Sequence, residues 1–469
     1  MNPLGTEKIS RLLFSFALPS ITGMLCNALY NIIDQVYIGW GIGYLGNAGT
    51  NVAFPLVTLS IALSLLIGLG GASKESIHLG AGEREKASQT VGSVILMLIF
   101  AGLFLFIVTR VFLEPLLLAF GSTEQVLPFA REYVNIISFG LPFSIFTTGF
   151  SSIIRADGSP QYAMCSVVTG AVLNVGLDPL FLYVFDMGIF GVGLATVLSQ
   201  IISCGITVAY IFRLKQVKLT RDCLRLRPRL CGIICSLGLA PFINQMSITV
   251  VQIALNNSLT FYGDQSIYGK DIPLACAGLV GKVNTIVMAF VIGMAQANQP
   301  IVGFNYGARQ YSRVRQSYRY AVTAATVICC IAFLGFQLFP RQIISLFGTE
   351  SELYYAFAQQ YFRIYLLFTF INGIQPVSSN FFTSIGAAPK GALLALTRQI
   401  LFLLPLILLF PLIWGIDGIL YAGPVADGGA ALLSIFLVRR QMKGFPQDGE
   451  PVEIKKRKSP MAERKRDKA

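Results

Sequence analysis

The sequence has little charge and almost no histidine. Asp, Glu, Lys and Arg make up 13% of its 469 residues, against roughly 25% in soluble proteins. Several soluble domains would therefore lack the polar residues to cover their surfaces. The single histidine, His78, and nine cysteines without paired CxxC spacing argue against a zinc site or a disulfide framework. An intramembrane hydrolase would need such a cluster, so we do not expect an enzyme.

Apolar residues dominate instead, with 54% of the chain and a mean hydropathy of +0.66. They form long continuous runs between short polar breaks, a pattern typical of membrane helices rather than of alternating barrel strands. We therefore expect an all-α polytopic membrane protein with twelve transmembrane helices. The expected spans are 13–40, 52–77, 88–110, 131–154, 161–185, 189–212, 232–258, 271–302, 315–340, 355–382, 390–413 and 417–438.

The net charge of +13 would suggest a nucleic-acid partner in a soluble protein. Here most Lys and Arg residues lie in the even-numbered connections and at both termini. Positive charge of this kind marks the cytoplasmic side of a membrane protein. We expect a multi-pass protein of the cell (inner) membrane with both termini in the cytoplasm. The lipid bilayer is then its surrounding partner, and no nucleic acid is expected.

The two halves of the chain resemble each other. Pro19 matches Pro241, and the segment 79–89 matches 306–316. Each half holds six expected spans, so both enter the membrane in the same direction, as a parallel repeat. Two such lobes around a central cleft are typical of a transporter. The expected division is an N-lobe at 1–212, a basic linker at 213–230, a C-lobe at 231–440 and a basic tail at 441–469.

Ionisable side chains inside a bilayer are costly and usually functional. Those that lie well inside the expected spans are Asp34, Asp178, Lys282, Arg398 and Asp427. The last three are candidates for accessory charges. Asp427 is expected either to titrate or to pair with Lys282 or Arg398, and the sequence leaves these alternatives open.

Oxygen-bearing side chains are expected to meet in the N-lobe. Asp34 lies in span one, Asn174 and Asp178 are four residues apart in span five, and Thr196 lies in span six. Carboxylate, amide and hydroxyl oxygens suit a hard cation such as Na⁺. Crowded carboxylates also take up protons. The sequence does not choose between Na⁺ and H⁺, and a polar cluster that only fastens helices is the remaining alternative.

Two polar stripes follow helical spacing. The set that we expect to line a substrate cavity is Asn27, Tyr30 and Asn31 in span one and Gln245, Thr249, Gln252 and Asn256 in span seven. Helix packing is the alternative role for the span-seven stripe. The repeat places Asn256 opposite Asp34 and Pro405 opposite Asp178, so the cation site is predicted in the N-lobe alone.

Five segments carry a family resemblance. They are FALPSI in span one, YNIIDQVYIG (30–39), LNVGLDPLFLY (173–183), GVGLATVLSQ (191–200) and QPIVGFNYGA (299–308). With these segments in this order, the chain resembles the MATE (multidrug and toxic compound extrusion) family over nearly its whole length. The resemblance is closest to bacterial multidrug-efflux members with an N-lobe cation site.

The resemblance implies two six-helix lobes in a V shape. It also implies antiport of organic cations or other amphipathic compounds against Na⁺ or H⁺, with no cofactor beyond the coupling ion and a monomer as the working unit. The cation site of the family falls on Asp34, Asn174, Asp178 and Thr196. Acidic residues that some members carry in spans seven and ten are replaced here by Gln245, Gln252, Asn372 and Gln375.

A flippase of lipid-linked precursors is the second functional class, because related folds perform that reaction. It would need a strongly basic cavity for a pyrophosphate headgroup. Only Lys282 and Arg398 supply positive charge well inside the expected spans, away from their ends, so efflux is the favoured interpretation.

Overall fold

The computed structural model describes residues 2–345 and 351–451, and within them the chain forms helices and no strands. Residues 452–469, which hold most of the charge of the basic tail, lie outside the described part. We number the helices by expected span. They are α1 (Ile9–Gly41), α2 (Tyr44–Gly80), α3 (Arg84–Val111), α4 (Leu127–Ala156), α5 (Pro160–Pro179), α6 (Gly188–Ala209), α7 (Pro228–Asp264), α8 (Asp271–Gly307), α9 (Tyr311–Leu338), α10a (Glu352–Tyr365), α10b (Ile374–Ser384), α11a (Ala388–Leu396), α11b (Leu404–Leu409) and α12 (Ile416–Lys443).

Shorter segments connect or interrupt these helices. Four are short α-helices, three are 3₁₀ turns and two are π-helical stretches within spans. In chain order they are Pro3–Thr6, Leu113–Ala119, Leu180–Val184 (π), Tyr210–Arg213 (3₁₀), Arg221–Cys223 (3₁₀), Pro340–Ser345, Thr369–Ile371 (3₁₀), Thr397–Leu403 (π) and Pro411–Trp414.

The all-α polytopic fold is confirmed, with one correction to the spans. Eleven helices of the described residues are long and apolar enough to cross a membrane. The tenth expected span, 355–382, is not continuous. α10a ends at Tyr365, a 3₁₀ turn follows at Thr369–Ile371, and α10b starts at Ile374. Pro376 falls in the first turn of α10b, where its missing N–H removes no helical hydrogen bond.

The parallel repeat is visible in the helix contacts. In the first half α1 packs on α5, α2 on α4, and α4 on α6. In the second half α7 packs on α11a, α8 on α10b, and α10a on α12. Between the halves, α1 lies against α8 and α2 lies against α7. In the repeat α1 corresponds to α7 and α2 corresponds to α8. The contact between α1 and α8 is therefore equivalent to the contact between α7 and α2, as a two-fold repeat requires.

The lobes touch backbone to backbone near one end of the molecule, which we call the closed end. A Cβ atom on Gly238 of α7 would lie 1.7 Å from the Leu66 carbonyl oxygen, and one on Gly80 of α2 would lie 1.9 Å from the Phe304 carbonyl oxygen. Such approach is available only to glycine. Both described termini are here: the Leu4 carbonyl accepts from Asn305 Nδ2, and Asp448 accepts from Ser312.

Adding a methyl group at these glycines is expected to separate the lobes. In Gly238→Ala and Gly80→Ala the new Cβ atom overlaps a backbone carbonyl oxygen of the other lobe. No side-chain rotamer change can relieve this clash, so we expect the closed end to open. Distances between spin labels across α2 and α7 should lengthen in each variant. Gly232→Ala adds the same methyl to α7 with nothing within 4 Å and should leave the distances unchanged. Unchanged distances in Gly238→Ala would contradict this description of the contact.

The segment after α12 is fastened to the start of α9. Ser312 donates to the Asp448 carboxylate from its hydroxyl and from its backbone N–H, the latter at 2.9 Å. These donors lower the pKa of Asp448 below its ordinary value. Arg315 Nη2 adds bonds of 3.1 Å to the carbonyl oxygens of Met442 and Phe445.

Asp448→Ala is therefore expected to release residues 445–451 and to speed their amide hydrogen exchange several-fold. Because the pKa of Asp448 is lowered on folding, its contribution is complete above the ordinary value of about 3.9. It is lost as the pH falls through the lowered value. Hydrogen exchange at neutral pH should distinguish the variant from the wild type, whereas equal exchange in both would remove Asp448 as the anchor.

Candidate cation site and substrate cleft

Local structure at the end of α5 positions two polar side chains. Asn174 and Asp178 are four residues apart on one face of the helix, and both are buried. Pro179 follows directly and has no N–H to continue the α-helical pattern. The chain widens there into the π-helical stretch Leu180–Val184. Stretches of this kind are frequent at functional sites.

The structure brings the four expected cation-site residues together from three helices. Asn174 Nδ2 donates to Asp178 Oδ1 and to Thr196 Oγ1, each at 3.3 Å. Thr196 Oγ1 in turn donates to the Val192 carbonyl oxygen at 3.1 Å. The Asp34 carboxyl, from α1, lies beside the Asp178 carboxyl, and the two groups interact. α1, α5 and α6 therefore meet at one polar cluster.

Three oxygens of this cluster are buried without a hydrogen-bond donor. They are Asp34 Oδ1, Asn174 Oδ1 and Asp178 Oδ2. Two ionised carboxylates repel each other, so their contact requires a proton or a cation between them. Unpartnered carboxylate and amide oxygens are also the ligands that a hard cation takes. The donor set thus fits either Na⁺ or H⁺, and Asp34, Asn174, Asp178 and Thr196 are the residues that would hold it.

Sequence reasoning missed one buried tyrosine near this site. Tyr133 of α4 is 7% exposed, and it interacts electrostatically with both Asp34 and Asp178. Tyr30 of α1, expected in the substrate cavity, is half-buried beside the same carboxyls. A tyrosine carries a polar group into an apolar helix, but only the fold shows which tyrosine faces the cation site.

The polar stripe of α1 faces away from the lipid. The exposed apolar residues of this helix include Leu18, Val36 and Trp40. Asn27 lies nine residues from Leu18 and from Val36, which is two and a half helical turns and thus the opposite face. Asn27 and Asn31 are nevertheless exposed. Exposed polar residues opposite to the exposed apolar side chains are suited to line a cleft between the lobes, and this role of Asn27 and Asn31 stays a prediction.

The stripe of α7 is polar and uncharged. Gln252 is exposed and donates through Nε2 to Asn256 Oδ1 at 2.9 Å. Gln245, Thr249 and Asn256 are half-buried. The stripe borders the exposed apolar Ile253, which lies four residues after Thr249. Its lining of the cleft stays a prediction.

The structure decides between the two expected partners of Asp427. Arg398 Nε lies 2.6 Å from Asp427 Oδ1, and the two side chains are 17% and 2% exposed. Lys282 is exposed and forms no salt bridge with any described residue. The C-lobe therefore contains a buried ion pair, and Lys282 takes no part in it.

A family model described as MatE matches residues 19–180 and 265–409. The matched ranges cover more than half of the chain and include Asp34, Asn174 and Asp178. The chain belongs to the MatE family. The resemblance seen in the sequence is thereby confirmed.

Curated MatE relatives carry names that refer to drug export. The probable multidrug resistance protein YoeA of Bacillus subtilis (strain 168) is 24% identical over 366 residues, which are 75% of this chain and 78% of YoeA. The multidrug export protein MepA of Staphylococcus aureus (strain MSSA476) is 20% identical over 435 residues, which are 92% and 93% of the two chains. The chain thus spans most of the length of both relatives.

Solved structures show the same fold. A MOP superfamily transporter from Pyrococcus furiosus superimposes with a TM-score of 0.88 at 22% identity, over 94% of this chain and 98% of that one. A MATE structure in a bent conformation gives 0.85 at 22% identity, over 93% and 96%. This likeness confirms the MATE-like two-lobe architecture.

Proposed function

We propose that this MatE protein exports organic cations or other amphipathic small molecules in exchange for Na⁺ or H⁺. One observation carries the proposal: the Asp34 and Asp178 carboxyls are in contact, buried, and have oxygens without donors. Such a pair binds a cation and loses it as its surroundings change. The names of YoeA and MepA support small-molecule drugs as the substrate class.

α1 is the element that would couple the cation to the substrate. It contributes Asp34 to the cation site and Asn27 and Asn31 to the cleft. Cation binding neutralises the Asp34–Asp178 pair and lets α1 and α5 pack differently. The changed position of α1 alters the cleft and releases the substrate. Return of the empty pair to the other side of the membrane completes alternating access.

The orientation that we propose places the closed end, with both termini and the basic segment 213–230, in the cytoplasm of the cell. The structure then corresponds to an outward-facing state of a monomer in the cell membrane. The distribution of Lys and Arg supports this orientation. Exchange of one cation for one monovalent drug cation would be electrically neutral. The membrane potential, ~2.3 kcal/mol per charge at 100 mV, would then not contribute.

Lipid-linked precursor flipping gains no support from the charges of the C-lobe. Arg398 is neutralised by Asp427 at 2.6 Å. Of the intramembrane charges that we expected, all of which lie in the described part of the chain, Lys282 is then the only cation without a salt bridge. One positive charge is too few to bind a pyrophosphate headgroup.

Purified protein in proteoliposomes, with a fluorescent cationic dye and separately imposed Na⁺ and H⁺ gradients, tests the proposal. We expect dye movement under an opposing gradient of the coupling ion and none without a gradient. Transport under only one of the two gradients identifies the ion. Dye movement that ignores both gradients would contradict antiport.

A further inference from the structure

The basic linker between α6 and α7 carries exposed apolar side chains among its charges. Residues 213–230 contain seven Lys and Arg residues and one acid, Asp222. Among the described residues, the only salt bridge of these seven joins Arg225 to Asp222 at 3.3 Å, and both groups are exposed. Leu224 and Leu226 beside them are 43% and 46% exposed. A linker that only marked one side of the membrane would need the charges but not the leucines.

The backbone of the linker is fixed to the N-lobe at two places. Near its start, the Asp157 carboxylate accepts from the Lys215 N–H at 2.7 Å and from the Gln216 N–H at 2.8 Å. Near its end, Ser93 Oγ of α3 donates to the Arg225 carbonyl oxygen at 3.3 Å. Because the backbone is held at both places, the fold sets where the side chains between them lie.

The linker crosses α3 on the face of this helix that meets lipid. Gly92, Leu96, Ile99 and Leu103 are spaced by four, three and four residues and share one face. Ile99 and Leu103 are exposed apolar residues of a membrane span. Gly92 is buried on this face, and a Cβ atom there would overlap the Cys223 carbonyl oxygen. Cys223 thus lies about 10 Å along the helix axis from Ile99, a distance that reaches the headgroup layer.

The ends of α6 and α7 add side chains to the same rim. Phe212 is 88% exposed and lies four residues after Val208 and eleven after Ile201, so it continues the exposed apolar face of α6. Arg229 is exposed and lies four residues before the exposed Ile233 of α7. Aromatic and basic side chains thus border the lipid-facing surface where these two helices meet the linker.

This combination fits a phospholipid better than a soluble anion. Guanidinium groups bind phosphate oxygens through paired N–H donors. Apolar side chains at a membrane surface insert at the boundary of headgroups and acyl chains. A soluble anion would satisfy the charges but leave Phe212, Leu224 and Leu226 without an apolar partner. A net negative headgroup is attracted by several basic residues together, whereas a zwitterionic one is attracted less.

We propose that the linker surface binds anionic phospholipids of the leaflet at the closed end. The guanidinium groups hold the phosphates, and the apolar side chains lie against the upper part of the acyl chains. This binding needs no transport, so it stands or falls separately from the proposed exchange of cation and substrate. The linker surface consists of Phe212, Arg221, Leu224, Arg225, Leu226 and Arg229.

A tryptophan in the linker surface tests the contact directly. Leu226→Trp is made in the full chain, which is then reconstituted into phosphatidylcholine vesicles that contain either brominated phosphatidylglycerol or brominated phosphatidylcholine. Bromine quenches a nearby tryptophan, and the fluorescence of Trp40 and Trp414 is subtracted with the wild type. We expect the brominated phosphatidylglycerol to quench the added tryptophan roughly twofold more strongly at low salt. The difference should shrink in ~1 M NaCl, where charges are screened within about 3 Å.

Two outcomes of this measurement would overturn the proposal. Equal quenching by the two lipids would exclude a preference for anionic headgroups. Quenching by neither lipid would show that the linker surface meets water. Inorganic phosphate at equal ionic strength should leave the preference intact, and its loss would assign the surface to a soluble anion instead.

Removal of the guanidinium groups tests their role. In the Leu226→Trp chain, the triple change Arg221→Gln, Arg225→Gln and Arg229→Gln should abolish the preference while both lipids still quench. The three side chains are exposed, so the thermal unfolding midpoint in detergent should stay close to that of Leu226→Trp. A preference retained in this triple variant would contradict binding by the linker arginines.

A matched control removes the same charge at the opposite end of the spans. Arg131→Gln, Arg341→Gln and Arg363→Gln together take three exposed arginines from that end. This variant should keep the preference of Leu226→Trp for phosphatidylglycerol. An equal loss of preference in the control would show that net charge, rather than the linker surface, selects the lipid.

Discussion

Asp34→Asn and Asp178→Asn should each abolish gradient-driven efflux. Asparagine keeps the shape of the side chain but removes the charge that attracts the cation and the acid that accepts a proton. Losing a charged hydrogen-bonding group costs ~1.5–3 kcal/mol, so the rate at limiting cation should fall by roughly tenfold to over a hundredfold, which brings efflux close to the background rate. The measurement is efflux of a fluorescent cationic dye from cells that express equal amounts of each variant.

A matched control is available in the same lobe, in the connection between α5 and α6. Asp186 follows α5, is exposed, and has a positive φ of 52°, a conformation that asparagine tolerates well. Asp186→Asn removes one carboxylate from the same lobe and should leave efflux unchanged. Wild-type efflux in either Asp34→Asn or Asp178→Asn would exclude that carboxylate from the cation site.

Asp427→Ala should give the largest loss of stability among the substitutions considered. The change leaves the Arg398 guanidinium buried without its partner at 2.6 Å. Breaking a buried ion pair on one side typically costs ~3–5 kcal/mol. We expect a clear fall in the thermal unfolding midpoint of the purified protein in detergent. Glu352→Ala, which breaks the exposed pair with Arg341, should cost under ~1 kcal/mol.

The double variant Arg398→Met with Asp427→Leu separates charge imbalance from lost packing. It replaces both charges by apolar side chains and should recover most of the stability that Asp427→Ala loses, because no unpaired charge remains. A double variant as unstable as Asp427→Ala would show that the pair acts through packing. An unaffected midpoint in Asp427→Ala would show that Arg398 finds another partner.

The cation site could be predicted from the sequence because two general rules single out the same residues. Charges inside a span are rare, which singled out Asp34 and Asp178. Spacing by four residues placed Asn174 beside Asp178. The resulting cluster agrees with the hydrogen bonds in the structure, although its role in transport stays a prediction. Tyr133 could not be identified this way, since one tyrosine in an apolar helix resembles any other until the fold places it.

Two further differences between the sequence-based expectations and the structure depend on where a residue lies on its helix. Glu75 lies close to the polar connection after α2, where a charged side chain can ordinarily extend to water, so sequence reasoning passed over it. The fold buries it because α3, α4, α7 and α8 all pack on α2. The choice between Lys282 and Arg398 as the partner of Asp427 likewise depends on helix rotation, which apolar composition does not determine.

The break in the tenth span was hidden for a similar reason. The run 355–382 is apolar enough for one helix, but α10a stops at Tyr365 and α10b begins at Ile374. Gly373 between them comes so near α9 that a Cβ atom there would lie 3.0 Å from Ala325 Cβ. Tertiary contact with α9 thus accompanies the break, and such contact is invisible in a hydropathy pattern.

The most direct test of the account is whether a substrate gradient moves the cation. Proteoliposomes without any initial ion gradient receive a cationic substrate on one side, and the movement of H⁺ and Na⁺ is recorded. We predict flow of one of these ions against the direction of substrate movement, and no such flow in Asp34→Asn or Asp178→Asn. Substrate movement in the wild type with no opposing flow of either ion would contradict antiport through the Asp34–Asp178 pair.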